Sequence, residues 1–293
     1  MKEDLSPRLV QRVIGLRAVI EITQDEFASL TSARKTLVDA LAFEQRFELL
    51  LGSYLDFEVT ATRLSLEMVA GMDYTTYLPG AIALLEANRL LMNLMTAARA
   101  YIDQVKQDFK HLGLNPCFQE QAKTALSDEY DSSYEYQFME ALRNHVQHKG
   151  VPAHGYTADD GLHEALTFRC MKAQLIEAKG FKAEVLKDMP EHVELRSYAR
   201  AYVERLSDVH VRLRDSVAPA INDARKEVEA TISRYQSAND GQALGLHAHR
   251  ISNGKEEWVG LMVEWDDVRL HLARKNGSKL HFARRQEKTT NRK

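Results

Sequence analysis

An arginine, an asparagine and a histidine stand close together in one stretch of this chain, residues 133–150, SYEYQFMEALRNHVQHKG. Each of the three brings a distinct chemistry. An unperturbed imidazole titrates near pH 6.5, so His148 can give or take a proton at neutral pH. Arg143 stays charged and can present two N–H groups to a pair of anionic oxygens. Asn144, one helical turn before His148, can hold the imidazole or an oxygen of the anion. Together they suit proton transfer beside a centre that gains negative charge.

The stretch has the pattern of a helix. Phe138, Leu142 and Val146 recur every fourth residue and form one apolar stripe. Lys149 and Gly150 follow the last turn and favour its end. At about 100° per residue, Asn144 and His148 point nearly opposite Leu142. Arg143 lies to one side, within reach of both, and His145 falls on the flank of the apolar stripe. Glu140 lies in line with Asn144 and His148, where it could pair with Arg143 or orient the site. Three other readings compete. Arg and His near a helix C-terminus are favoured by the helix dipole, which on residue chemistry alone puts a non-enzymatic helical interaction protein ahead. The H-x-x-H pair His145/His148 diverges on the helix and has no carboxylate or cysteine to complete a metal set. Nucleotide binding without cleavage has no glycine-rich phosphate loop behind it.

The run Arg143-Asn144-x-x-x-His148 resembles the signature of the HEPN superfamily (higher eukaryotes and prokaryotes nucleotide-binding): Arg, a polar residue that is often Asn, three variable residues and His, on a helix of a small bundle. The resemblance covers about residues 80–240. It implies a metal-independent RNase, a toxin or antiviral effector, whose site forms between two protomers of a homodimer. It implies no cofactor and no metal, with RNA as substrate and an antitoxin or another defence protein as partner. RNA carries its own nucleophile, the ribose 2′-hydroxyl. Cleavage then needs a base for that proton, an acid for the leaving 5′-oxygen, and positive charge on the phosphate. On this reading Arg143 and His148 are catalytic with Asn144 in support, Glu140 and Lys149 touch substrate, and His145 mainly packs beside Val146 at the edge of the core, with contact to RNA as a secondary role. Two copies across a twofold axis would supply both a base and an acid.

Composition sets the bounds. The chain has 293 residues, more than one minimal domain. Its 14 Gly and 6 Pro argue against a loop-rich or disordered protein. Cys117 and Cys170 offer neither a disulfide framework nor zinc spacing, and two reduced cysteines are expected. The opening MKEDLSPRLVQR has no apolar run, and no run is long enough to span a bilayer, so a soluble, cytoplasmic protein is expected. The net charge is −3, yet residues 266–293 hold nine Lys+Arg against three Asp+Glu, a net of +6 that leaves −9 on the remainder. Such a tail suits either a polyanion or solvent.

The fold expected is mainly α, in three consecutive parts: an N-terminal helical unit over 1–80, a HEPN-like helical bundle over 81–240, and a small antiparallel β appendage with the basic tail over 241–293. Residues 1–22 fit a helix through Leu9, Val13, Leu16 and Ile20, while VIEI at 19–22 would also suit a strand. Thr23 and Glu26 form a capping box that opens a helix running from Asp25 to about Ala70. The clearest helix spans 81–112, and a shorter one covers 118–127. Tyr130, Tyr134 and Tyr136 are read as packing at a bundle edge. Leu166, Phe168 and Cys170 alternate with Thr167, Arg169 and Met171 as a short strand between the bundle helices, a candidate hairpin arm. A long helical region starts near 188–191, with Pro219 expected to kink or split it. Residues 244–284, with turn signals Asn253-Gly254 and Asn276-Gly277, read as three or four strands.

Overall fold

The computed structural model describes residues 5–13, 18–109, 111–112, 118–158 and 165–281. It is 67% helical. The described elements, in order, are β1 (Leu5–Gln11), β2 (Ile20–Glu21), α1 (Gln24–Val69), α2 (Tyr77–Gln107), α3 (Phe118–Ser132), α4 (Tyr134–His148), β3 (Gly155–Ala158) and β4 (Leu166–Met171). They continue with α5 (Lys172–Ala178), α6 (Ala183–Asp188), β5 (His192–Glu194), α7 (Leu195–Ala238), β6 (Leu246–Ser252), β7 (Lys255–Gly260) and α8 (Asp267–Lys275). The mainly α class is as expected. No described helix is long and apolar enough to cross a membrane.

The chain divides into two compact units, each assembled from separated segments. Unit 1 comprises Met1–Gln45, Gln107–Gln121 and Arg212–Gly277; unit 2 comprises Arg46–Lys106, Ala122–Val211 and Ser278–Lys293. Helices α1 and α7 each contribute residues to both. Three consecutive pieces, 1–80, 81–240 and 241–293, are expected from the sequence; unit 1 instead joins Met1–Gln45 with Arg212–Gly277.

In unit 1, a four-stranded antiparallel sheet has the order β2-β1-β6-β7. The ambiguous N-terminus is therefore strand: Pro7 and Leu9 alternate as buried positions, and Leu9 pairs with Ala248 of β6. Asn253 and Gly254 both take positive φ, 52° and 72°, as the two-residue β6–β7 turn requires. The capping box forms as expected: Thr23 N–H donates to Glu26 Oε2 at 2.8 Å and Glu26 N–H to Thr23 Oγ1 at 3.1 Å. Residues 264–275 are not strand. They form a 3-10 turn and α8, with Asp266 and Asp267 at the N-terminal end and Arg274 and Lys275 at the other, the signs the helix dipole prefers. Asp266, fully buried, accepts from Arg269 Nε at 2.6 Å and Arg225 Nη1 at 2.8 Å. Asn276 ends α8 instead of making a hairpin turn.

In unit 2, β4 lies between β3 and β5 in a three-stranded antiparallel sheet. Leu166, Phe168 and Cys170 are its buried positions and Met171 is exposed, which explains the apolar residue on the outer face. Burial pushes the Cys170 thiol up to about 12. Cys117 lies outside the described residues. The long final helix starts at Leu195, later than expected, because α5, α6 and β5 occupy 172–194. Glu194 caps it, accepting from the N–H groups of Arg196 and Ser197 at 2.7 Å each. Pro219 sits inside α7 without ending it. Among the aromatic contacts of the core, Phe47 stacks on His210 at 4.0 Å, and the Tyr101 hydroxyl meets His210 Nδ1 at 3.1 Å.

Candidate functional site

Helix α4 is held at both ends. Ser133 caps it, its hydroxyl accepting the Tyr136 N–H at 3.2 Å, and Lys149 closes it with its N–H on the His145 carbonyl at 2.8 Å. Its buried side is Tyr136, Phe138, Met139, Ala141, Leu142 and His145. Phe138 meets the Tyr198 ring edge-on at 5.1 Å. Val146, expected in the stripe, is only half-buried; His145 takes that inner place at 4% exposure.

The residues read from the sequence separate into two groups. Asn144, His148 and Lys149 are exposed, and Arg143 is half-buried on the same C-terminal half of the helix. Arg143 Nη1 donates to Asn144 Oδ1 at 2.5 Å, which ties the two side chains together, while its buried Nε has no hydrogen-bond partner among the described residues. Glu140 belongs to the other group. It does not pair with Arg143: it accepts from the Tyr202 hydroxyl at 2.5 Å and from Arg99 Nη1 at 3.3 Å. Burial and the Glu140 carboxylate push the Tyr202 hydroxyl well above its ordinary range. Glu140 thus braces α4 within unit 2, and it contributes to the site by fixing that helix.

His145 is likewise an inward group. Its ring lies 5.9 Å from that of Phe181, and its buried Nδ1 has no hydrogen-bond partner among the described residues. Burial, and then the Lys149 charge, lower its pKa. Contact between substrate and His145 is at odds with this burial. Gly150 allows the packing: a Cβ there would come within 3.3 Å of His145 Nε2. The glycine expected as a helix stop therefore matters through close approach, with Lys149 itself the cap.

Beyond α4 the chain is pinned at Ala153, whose N–H donates to Asn88 Oδ1 at 2.7 Å and whose carbonyl accepts from Asn88 Nδ2 at 3.0 Å. His154 Nδ1 accepts the Met171 N–H at 3.0 Å, and burial followed by the neighbouring His145 lowers its pKa. The segment then runs to Tyr156, whose hydroxyl donates to the Tyr74 carbonyl at 2.7 Å across Gly80.

One feature of this region has no counterpart in the sequence reading. A cleft of about 670 Å³ is lined by Arg99, Lys106, Lys123, Tyr130, Tyr136 and Glu140, among others. Its cations come from α2 and α3, far apart in sequence, so no local run announced it. Tyr130 stands at its edge with its hydroxyl accepting from Lys182 Nζ at 2.8 Å, Tyr134 donates to the Val185 carbonyl at 2.9 Å, and Tyr136 is buried. Tyr130 and Tyr134 keep the expected edge positions, whereas Tyr136, 2% exposed and packed on Tyr202, belongs to the core. Much of the basic tail, 282–293, lies outside the described residues. Among the described residues no group of three or more His, Cys, Asp or Glu side chains is placed to hold a metal ion.

The arrangement offers a solvated imidazole and amide, with a guanidinium linked to the amide, on the last turns of a helix whose packing is handled by other residues. It can donate or accept a proton and can bind an anion. Comparison with protein-family models, with curated proteins and with solved structures returned no match.

Proposed function

We propose that this chain is a metal-independent endoribonuclease acting as a homodimer. The observation that carries the reading is the outward Arg143–Asn144 pair with exposed His148 one turn further on. In this scheme one His148 takes the proton from the ribose 2′-hydroxyl. The 2′-oxygen forms a bond to phosphorus, and the bond from phosphorus to the 5′-oxygen breaks. The second protomer's copy of the same side chain protonates the leaving 5′-oxygen. Arg143 offsets the charge that develops on the phosphate, and Asn144 holds Arg143 toward it. The cation-bearing cleft beside Glu140 gives the flanking phosphates a place to lie. A role as a toxin or phage-defence effector, with a neutralising partner, belongs to the same proposal.

The test is incubation of the purified protein with total RNA in excess chelator, beside His148→Ala. Cleavage by the wild type and none by the variant, with an unchanged melting curve, is the expected result. Cleavage that survives the substitution, or that stops on chelation, rejects the mechanism. A second reading, a helical protein that binds a partner without catalysis, draws on a separate observation: Tyr77, Leu78 and Leu85 stand far out of unit 2 as exposed apolar side chains. Intact RNA with the wild type would favour it.

A further inference from the structure

Helices α1 and α2 form an antiparallel hairpin within unit 2, bridged by Arg63 Nη2 to Glu86 Oε2 at 2.7 Å. Each helix has an ordinary core side. Phe57, Ala61 and Leu64 on α1 and Ala83, Ala87, Leu91 and Leu94 on α2 are buried. Each also carries a second apolar stripe, which its own fold leaves in solvent. On α1 it is Leu55, Val59, Leu66 and Val69, with Thr62 between; on α2 it is Leu78, Ile82, Leu85 and Met92, with Arg89 between. The eight apolar side chains are 40–71% exposed, and Tyr77 beside them is 90% exposed.

The spacing of both stripes alternates four and three, the period of a seam that another helix fills. Each stripe covers three-and-a-half-residue steps over the same length, roughly 21 Å at 1.5 Å per residue. With the Arg63–Glu86 bridge setting the register, Val69, Leu66 and Leu55 fall within about two residues of Leu78, Ile82 and Met92 along the neighbouring helix. A shallow apolar groove runs along the same side of α1, past Val59, Thr62, Leu66 and Ala70. At on the order of 100 Å² for each large side chain, the face offers roughly 1,000 Å² of apolar surface. That exceeds the ~300–600 Å² of the largest patch on a typical monomer and reaches the ~800 Å² per partner of a stable interface.

We infer that a second copy of this chain covers this face. Two equal, antiparallel stripes joined by a turn are self-complementary under a half-turn. Hairpin laid on hairpin puts four helices around one seam, with the Arg63–Glu86 bridge between the two helices of each hairpin. The covering of this face by a second copy follows from the stripes and holds whether or not RNA is cut.

Light scattering on the full chain across a dilution series tests it. The wild type should elute at twice the 33.4 kDa chain mass. Val59→Glu with Leu85→Glu, both at solvated positions of the protomer, should elute at the mass of one chain with the circular dichroism spectrum unchanged. Tyr77→Ser, a milder change, should weaken dimerisation by about tenfold. His148→Ala should remain dimeric, which separates failure of the interface from failure of the chemistry. A wild type at the mass of one chain throughout overturns the second copy as occupant and leaves the face to a different partner. A double variant and a Tyr77→Ser protein that both dimerise like the wild type place any dimer elsewhere and overturn the inference as well.

Discussion

His145 and His148 stand on the same turn of one helix, yet they are different groups physically. His148 is exposed, whereas His145 is 4% exposed against Phe181 with its pKa lowered by burial. The consequence of that lowering can be given a sign. The unfolded chain takes up the His145 proton near pH 6.5, while the folded protein resists it until lower pH. The stability tied to His145 is therefore complete above pH 6.5 and is lost as the pH falls from there through the lowered value. His154 acts in the same direction. Thermal melts of His145→Phe from pH 7.5 to 5 should show a shallower fall than the wild type; an equal slope would mean that His145 titrates as it does in the unfolded chain. The outward direction of Asn144 and His148 was legible because helical period alone sets it. The partners of Glu140 were not: Arg99 and Tyr202 lie 41 and 62 residues away, and only the tertiary fold brings them in.

Elements read well where local signals agreed and poorly where period misled. The capping box at Thr23, the Asn253-Gly254 turn and the stripe of α2 each encode their own geometry. In 264–275, alternating Val268, Leu270 and Leu272 suggested a strand, but the Asp266–Arg269 pairing and the end charges favour a helix. Asp266→Ala would leave Arg225 and Arg269 facing a vacated site in unit 1, at a cost of about 3–5 kcal/mol. Urea denaturation measures it, and a change below about 1 kcal/mol would show that the buried pairs are not what holds α8. At the start of α2, a Cβ on Gly80 would fall 1.6 Å from the Tyr156 hydroxyl oxygen and 2.8 Å from the Tyr74 carbonyl oxygen. Gly80→Ala should therefore lose about 1–3 kcal/mol, and less in a Tyr156→Ala background. Equal losses in both backgrounds would mean that the two residues do not compete for that space. The sequence offered no sign of this contact, since only the fold brings Tyr156 to Gly80.

On the scale of the whole molecule, the division into units was the least legible feature. Strand β1 pairs with β6, more than two hundred residues later, and α1 and α7 are shared by both units. No consecutive cut of the chain can express that. The outward apolar stripes of α1 and α2 were hidden for a related reason: in sequence, the stripe of a core and the stripe of an interface look alike, and only burial tells them apart.

The central claim, 2′-hydroxyl attack served by Arg143 and His148, is tested most directly by the ends of the RNA fragments. Attack by the ribose oxygen predicts a 2′,3′-cyclic phosphate on one fragment, a free 5′-hydroxyl on the other, and no scission at a residue whose 2′-hydroxyl has been replaced by hydrogen. Fragments carrying 3′-hydroxyl and 5′-phosphate ends, or cleavage of the 2′-deoxy substrate at the same rate, would contradict it.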